Sequence, residues 1–333
     1  MILITGGTGY IGSHTALELL LSGEDIVVFD NLSNSSESII KSLEELSGRK
    51  ILFVQGDIRV KLDLSSLFKK YKITAVIHFA GLKAVGESMS NPLTYYNTNV
   101  SGTINLLEVM DENNCKKIIF SSSATVYGNS LNGTSLKEND KTNPENPYGR
   151  SKLIVEKILK DLADSDREWK IIALRYFNPI GSHVSGTLNE SPKGVSQNIM
   201  PTLLKVAEGE LETLLIFGNT YPTEDGTGVR DYIHVTDLAR GHIKALSLLD
   251  SIDTMELINL GSGVGYSVLE IIKVFESVSN KKISYRVVEK REGDVAIYLA
   301  DPSYAKKILN WSAELGIERM CQDVWAGRKP ASD

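Results

Sequence analysis

At 333 residues the chain is long enough for one large core or two domains that share an interface. Its 42% hydrophobic and 23% charged residues are those of an ordinary globular protein, which excludes a fibrous or low-complexity chain. A net charge of −6 excludes a general attraction to nucleic acid or anionic membrane, so an anionic ligand must be held by a few placed arginines.

The segment Met1 to Gly12 is apolar, lacks a basic leading region and runs into a glycine motif, so it reads as a strand and not as a signal peptide. Short apolar runs then alternate with helical patterns. Ile2-Leu3-Ile4, Ile26 to Phe29, Leu52-Phe53-Val54, Ala75 to Phe79 and Lys117 to Phe120 read as strands, with helical stretches at 12–22, 36–47, 62–71 and 92–114 between them. Strands that are apolar on both faces, joined by crossover helices, predict an α/β protein with a doubly wound parallel sheet. Residues 129–147, rich in Asn, Pro and Gly, read as a surface loop, and Pro147 opens a helix to about residue 165. Ile171 to Tyr176 is a sixth strand. From residue 177 the periodicity breaks up, with polar loops at 182–197 and 218–230, which predicts a smaller substrate-binding region at 177–333. Leu257 to Leu260, followed by Gly261-Ser262-Gly263, predicts a segment near 232–262 returning to the first domain, 1–176. No apolar run reaches membrane-spanning length. Cys115 and Cys321 read as free thiols in a reducing compartment, so a soluble, cytoplasmic protein is expected.

Thr5-Gly6-Gly7-Thr8-Gly9-Tyr10-Ile11-Gly12 follows the first strand and opens the first helix. Glycines at 6, 9 and 12 let the chain turn sharply, approach a pyrophosphate and pack helix on strand, with phosphates at the helix's positive end. Alone, such a triplet is also an ordinary tight strand–helix turn. Here the second strand ends on Asp30, 18 residues past Gly12. A carboxylate there can accept hydrogen bonds from ribose hydroxyls and repel a 2′-phosphate, which predicts a Rossmann-type domain binding NAD in preference to NADP. Asp57, after the next strand, suits either the adenine amino group or the cap of its own turn.

Tyr148 and Lys152 lie four residues apart on one helix face. A tyrosine, with an ordinary pKa near 10, is a poor base at neutral pH. A neighbouring ammonium and the positive ring of oxidised nicotinamide are expected to stabilise its phenolate. Ser121-Ser122-Ser123 ends the fifth strand, where such sheets bind ligands, and can offer a hydroxyl to the same substrate oxygen. The five histidines (14, 78, 183, 234, 242) have no metal-ligand spacing, and no metal is expected.

The glycine motif, serine run and Tyr-x-x-x-Lys together resemble the extended branch of the short-chain dehydrogenase/reductase superfamily. Phe79-Ala80-Gly81-Leu82-Lys83, Ser121 through Gly128, Arg175-Tyr176-Phe177-Asn178-Pro179, Tyr221 through Val235 and Arg291-Glu292-Gly293-Asp294 are similar to the UDP-galactose 4-epimerase family. The resemblance covers nearly the whole chain. It implies an isomerase of galactose metabolism that interconverts UDP-galactose and UDP-glucose through transient oxidation at C4, with one tightly bound NAD per subunit. It also implies a homodimer formed by helices near 92–112 and 148–162.

Carried over residue by residue, the resemblance implies a catalytic set of Ser123, Tyr148 and Lys152. It places NAD contacts at Tyr10, Ile11, Asp30, Asn31, Leu32, Ser33, Asn34, Ser35, Asp57, Ile58, Phe79, Ala80, Gly81, Leu82, Lys83, Ser123, Tyr148, Lys152 and Phe177. Nucleotide-sugar contacts fall at Ser123, Tyr148, Asn178, Asn198, Ile199, Leu215, Ile216, Phe217, Arg230, Arg291, Glu292, Gly293, Asp294 and Tyr298. Thr98 stands where the family often has asparagine, with Asn99 adjoining. Arg230 and Arg291, in glycine-containing loops, suit a bidentate clamp on a diphosphate, although a lone arginine is more often a surface ion-pair partner. Tyr298 reads by spacing as a half-buried aromatic. By resemblance it stands beside the sugar's 2-position, where family members accepting N-acetylated sugars carry a smaller residue.

Two rivals stand against this reading. Dehydratases and decarboxylases of the same branch need an acid after the serine or threonine run, where this chain has Ala124 and Thr125. A non-enzymatic NAD(H) sensor on the same fold has no need of Tyr148 and Lys152.

Overall fold

The structure is a computed structural model that describes residues 1–128, 135–190, 198–291 and 294–328. The chain divides into two compact units. The first comprises Met1–Gly128, Lys141–Tyr176 and Ala239–Ile258; the second takes the described parts of 129–140, 177–238 and 259–333.

In the first unit, strands β1 (Ile2–Thr5), β2 (Ile26–Asp30), β3 (Leu52–Gln55), β4 (Ala75–His78), β5 (Lys117–Ser123) and β6 (Lys170–Tyr176) build the central sheet. After β7 (Asn178–Ile180), β8 (Leu214–Phe217) and β9 (Val229–His234), strand β10 (Met255–Leu260) completes it beside β6. The order β10-β6-β5-β4-β1-β2-β3 is that of a doubly wound Rossmann-type sheet, and every register from β3 to β6 is parallel. Strands β1, β2 and β4 are buried along their whole length because helices cover both faces. Edge strand β3 leaves Leu52 exposed. Leu3, Val27, Phe29, Val76, Ile118, Phe120 and Ile171 anchor the core of this unit.

The helices are α1 (Tyr10–Leu21), α2 (Ser38–Ser47), α3 (Lys61–Lys70), α4 (Val85–Ser90), α5 (Pro92–Tyr95), α6 (Gly102–Glu112) and α7 (Pro147–Ser165). The predicted single helix at 92–114 is interrupted: residues Tyr96–Ser101 form a π turn between α5 and α6. The extra residue in the turn brings Asn99 into the interior, where Oδ1 accepts from Leu82 N at 2.7 Å and Nδ2 donates to Leu82 O at 3.0 Å. Helix α7 begins as the sequence predicts. Pro147 takes the first turn, and the Asn146 side chain accepts from Gly149 N at 2.8 Å, a cap worth about 1 kcal/mol.

The second unit carries α8 (Ile199–Ala207), the start of α9 (Val235–Leu248), α10 (Val268–Ser279), α11 (Ser303–Leu309) and α12 (Ile317–Ala326). Its sheets are small. Strand β9 pairs with β7 and β13 (Ile297–Tyr298) in parallel and with β11 (Gly265–Ser267) antiparallel, while β8 pairs with β12 (Tyr285–Val288). Phe275, Leu203, Ile271 and Met320 centre a separate core. Among the described residues no helix is long and apolar enough to cross a membrane.

Candidate active site

The loops leaving β1 and β4 part at the point where strand order reverses, and glycine is required there. Gly6 has φ +70°, and a Cβ on it would stand 2.6 Å from Ala80 N. A Cβ on Gly12 would stand 2.3 Å from Gly6 O. Gly9 precedes α1 with no side chain capping the helix, so the first-turn N–H groups point into the loop. The backbone cradle therefore has the shape and polarity that a dinucleotide pyrophosphate needs, and the residues present fit the cofactor.

Asp30 ends β2 buried, with Oδ2 accepting from Thr8 N at 3.2 Å and Oδ1 from Leu32 N at 2.9 Å and Ser35 Oγ at 3.3 Å. Leu32 holds the left-handed conformation, φ +59°, and Ser33 N donates to Asn31 Oδ1, so residues 30–35 form a fixed loop around the carboxylate. Asp57 caps its own turn. It accepts from Arg59 N, from both arms of the Arg59 guanidinium and from Asn31 Nδ2, and the Arg59 hydrogen bonds hold its carboxyl well below the usual range. Ile58 is buried against Gly102, and its carbonyl accepts from Asn105 Nδ2 at 3.1 Å. Phe79, Ala80 and Leu82 are half-buried and Gly81 and Lys83 exposed along the loop after β4, with the Lys83 ammonium 5.8 Å from the Tyr10 ring centroid.

Three consecutive serines at the end of β5 meet three residues spaced four apart on α7. Ser123 hydrogen-bonds the Tyr148 phenol, Ser121 O accepts from Lys152 Nζ at 2.7 Å, and Ser122 Oγ donates to Glu156 Oε1 at 2.5 Å. Thr125 donates to Ser123 Oγ from its N at 3.2 Å and its hydroxyl at 2.9 Å, which leaves the Ser123 proton for Tyr148. Ala124 is buried and Thr125 is turned to Ser123, and neither of these two residues after the serines is an acid.

In the chain alone the electrostatics favour the protonated phenol. Burial dominates Tyr148 and pushes its phenol above the ordinary value, with only the Ser123 hydrogen bond acting downward. The Lys152 ammonium lies 6.0 Å from the Tyr148 ring centroid and is turned to Ser121 O, so it does not by itself make the phenolate. Burial lowers Lys152 to about 8, against the pull of Glu156. His78, between Thr5 Oγ1 at 2.6 Å and Thr103 Oγ1 at 2.9 Å, is depressed to about 3 by burial and by Lys152, and is neutral.

Within the second unit, Arg230 lies in strand β9 and not in a loop, with its head 3.7 Å from Asp294 Oδ1. Arg291 lies in a loop, its guanidinium carbon 3.7 Å from the Phe217 ring centroid. Along β8, Leu215 is exposed and Phe217 half-buried, whereas Ile216 points into the core, so only its backbone can meet a ligand. Tyr298 stands in register with Arg230, its ring 5.7 Å from that of Phe177. Asn178 heads β7 and Asn198 precedes α8, with Nδ2 donating to Glu190 at 2.5 Å and Ile199 half-buried behind it. Glu292 and Gly293 lie outside the described residues. Sequence reasoning passed over Tyr221. Its hydroxyl is buried with no hydrogen-bond partner, and the charges of Asp294, Arg230 and Arg291 act on it. A lone tyrosine in a polar loop gives no signal that its hydroxyl is buried. Among the described residues no His, Cys, Asp or Glu cluster could hold a metal.

Comparison with known proteins bears on the whole chain. The family model described as GDP-mannose 4,6 dehydratase matches residues 3–324. A UDP-glucose 4-epimerase of Bacillus subtilis is 52% identical over 97% of this chain and 95% of its own. The crystal structure of a UDP-glucose 4-epimerase from Stenotrophomonas maltophila, with bound NAD and formylated UDP-arabinopyranose, superposes with a TM-score of 0.95 at 44% identity, covering 97% of this chain and 96% of that one. That of the Bifidobacterium longum enzyme in complex with NAD+ and UDP gives 0.93 at 46%, covering 98% and 97%. With its parallel sheet, its glycine cradle and its serine, tyrosine and lysine in place, the chain belongs to the UDP-glucose 4-epimerase family of the extended short-chain dehydrogenase/reductases.

Proposed function

We propose that the chain interconverts UDP-galactose and UDP-glucose, with NAD held at the glycine cradle and Asp30. The observation that carries this reading is the engagement of Ser123 by Tyr148 and of Ser121 by Lys152 at the end of β5, within a family whose relatives are UDP-glucose 4-epimerases. When bound, NAD supplies the hydride acceptor for C4 and the positive ring charge that Tyr148 needs to lose its proton. Tyr148 takes the proton of the 4-hydroxyl and later returns one, with Ser123 hydrogen-bonded to the same oxygen. Lys152 holds a positive charge beside them below pH 8 and loses it above.

The nucleotide end of the substrate falls to the second unit. Arg230 and Arg291 are assigned to the diphosphate, Leu215, Ile216 and Phe217 to the base, and Asn178, Asn198, Ile199, Asp294 and Tyr298 to the rest of the nucleotide sugar. Gripping the substrate by its diphosphate leaves the 4-keto sugar free to present either face. Ala124 and Thr125 lack the acid an elimination requires, and a sensor protein would not need Tyr148 on Ser123. Incubating the purified protein with UDP-galactose and no added NAD is expected to yield UDP-glucose; no product, or a product short of one water, would sink the proposal.

Tyr298 is assigned a part in choosing the sugar. Its phenol, packed on Phe177, fills volume that an acetamido group at the sugar's 2-position would need. Tyr298→Cys is expected to raise activity on UDP-N-acetylhexosamines and leave much of the UDP-galactose activity. Comparable wild-type kcat/KM on both substrate pairs would refute this role.

We also place the protein in the cytoplasm as a homodimer. Leu93, 81% exposed, and Met89, 61% exposed, lie with Ile104 and Ile154 on helices α4 to α7 as large apolar side chains open to a partner. A monomer in sedimentation equilibrium at micromolar concentration would remove the dimer.

A further inference from the structure

Behind the catalytic serines lies a buried ion pair that the reaction itself does not use. Arg175, on β6 opposite Ser122, donates from Nε to Glu156 Oε1 at 2.9 Å and from Nη2 to Oε2 at 2.6 Å. Its remaining arm, Nη1, donates to the Tyr127 hydroxyl at 2.9 Å, in the turn that follows Ser123. Glu156 and Arg175 are 4% and 2% exposed. Two buried charges are costly to keep, and hydrophobic residues of like volume would usually serve stability as well or better. The pair also sits one helical turn beyond Lys152, and Ser122 Oγ ties it to the strand that presents Ser121 and Ser123.

We propose that Glu156, clamped by Arg175, is a positioning residue for the reaction: it fixes Ser122 between the two working serines and sets a carboxylate one helical turn from the Lys152 ammonium. This rests on the epimerase reading. Glu156 is the group whose charge opposes the burial that lowers Lys152. Of the other titratable or charged groups, Tyr148 on α7 and His78 from β4 lie beside Lys152, Tyr176 from β6 shares Ser121 with it, Arg175 from β6 bonds Glu156, and Tyr95 from α5 acts on Tyr148. His78 is neutral, and Tyr176, hydrogen-bonded to Ser121, is held well above the tyrosine range by burial. Burial holds Tyr95 above it as well. Arg175 stays charged because the bonds from Glu156 outweigh the burial that opposes its charge. Removing the carboxylate leaves the burial of Lys152 unopposed, which favours its neutral form. Its titration midpoint must then fall, and the charge beside Tyr148 is lost at a lower pH.

The test compares Glu156→Gln with the double variant Glu156→Gln, Arg175→Gln, which leaves no unpaired buried charge and keeps amide hydrogen bonding across the site. Three quantities are measured: melting temperature, the pH profiles of kcat and KM for UDP-galactose, and the Lys152 titration by 13C-lysine NMR, its signal assigned by loss in Lys152→Met. The expected result is a Lys152 midpoint and alkaline limb lowered by on the order of one pH unit in both variants. At pH 8 kcat falls by about fivefold, with KM little changed and the double variant recovering melting temperature only. A double variant that regains the wild-type midpoint and pH profile would show the pair to be structural and overturn the proposal. If the wild type itself does not convert UDP-galactose, the epimerase reading fails instead, and the NMR midpoints still decide the role of Glu156.

Discussion

Tyr148→Phe is expected to lower interconversion by ~100-fold or more, the ordinary cost of losing a general acid–base group. Fold and retained NAD should be unchanged. The ring is half-buried at the start of α7, and phenylalanine keeps its packing while deleting one hydroxyl. What disappears is the oxygen that Ser123 holds in place and that must take the proton of the sugar hydroxyl. Burial keeps this phenol protonated at neutral pH in the chain alone, so its use as a base depends on positive charge brought close to it. A variant turning over at the wild-type rate would remove Tyr148 from the mechanism.

Asp30→Asn is expected to erode the preference for NAD over NADP by roughly 10- to 100-fold, the worth of one charge-assisted hydrogen bond. The carboxylate accepts from Thr8 N on one oxygen and from Leu32 N and Ser35 on the other; asparagine keeps the Leu32 and Ser35 bonds through Oδ1 and loses the charge together with the bond from Thr8 N. With the charge in place, ribose hydroxyls are accepted and a 2′-phosphate is repelled. Binding of both cofactors to cofactor-stripped protein checks this, and equal affinity of the wild type for the two would overturn the assignment.

Much of this site could be read from the residues themselves. The glycine spacing required the backbone to pass within contact distance of itself, and Gly12 against Gly6 O shows that contact. Tyr148 and Lys152 fall on one face because helical spacing is regular, and their meeting with the serines follows from where a doubly wound sheet ends its strands. Regular periods did not reveal irregular backbone: the π turn at Tyr96–Ser101 interrupts an otherwise continuous helical pattern to point Asn99 at Leu82. Nor could spacing place Arg230 in a strand or turn Ile216 inward, since the short strands of the second unit carry too few residues for a period to show. Electrostatics were the least legible. Lys152 and the charge of a bound nicotinamide suggest a lowered phenol, whereas in the chain alone burial, which no motif records, acts the other way. The Glu156–Arg175 pair joins residues 19 apart and was invisible for the same reason.

The most direct test of transient oxidation at C4 uses UDP-galactose carrying deuterium at that carbon. The purified protein is incubated with it in ordinary water without added NAD, and the UDP-glucose formed is analysed by mass spectrometry and NMR. Deuterium retained at C4 is the predicted result, because the hydrogen leaves and returns as hydride within one closed turnover and never exchanges with solvent. Deuterium replaced by solvent hydrogen would contradict the account, since it would mean that C4 is inverted by removing a proton.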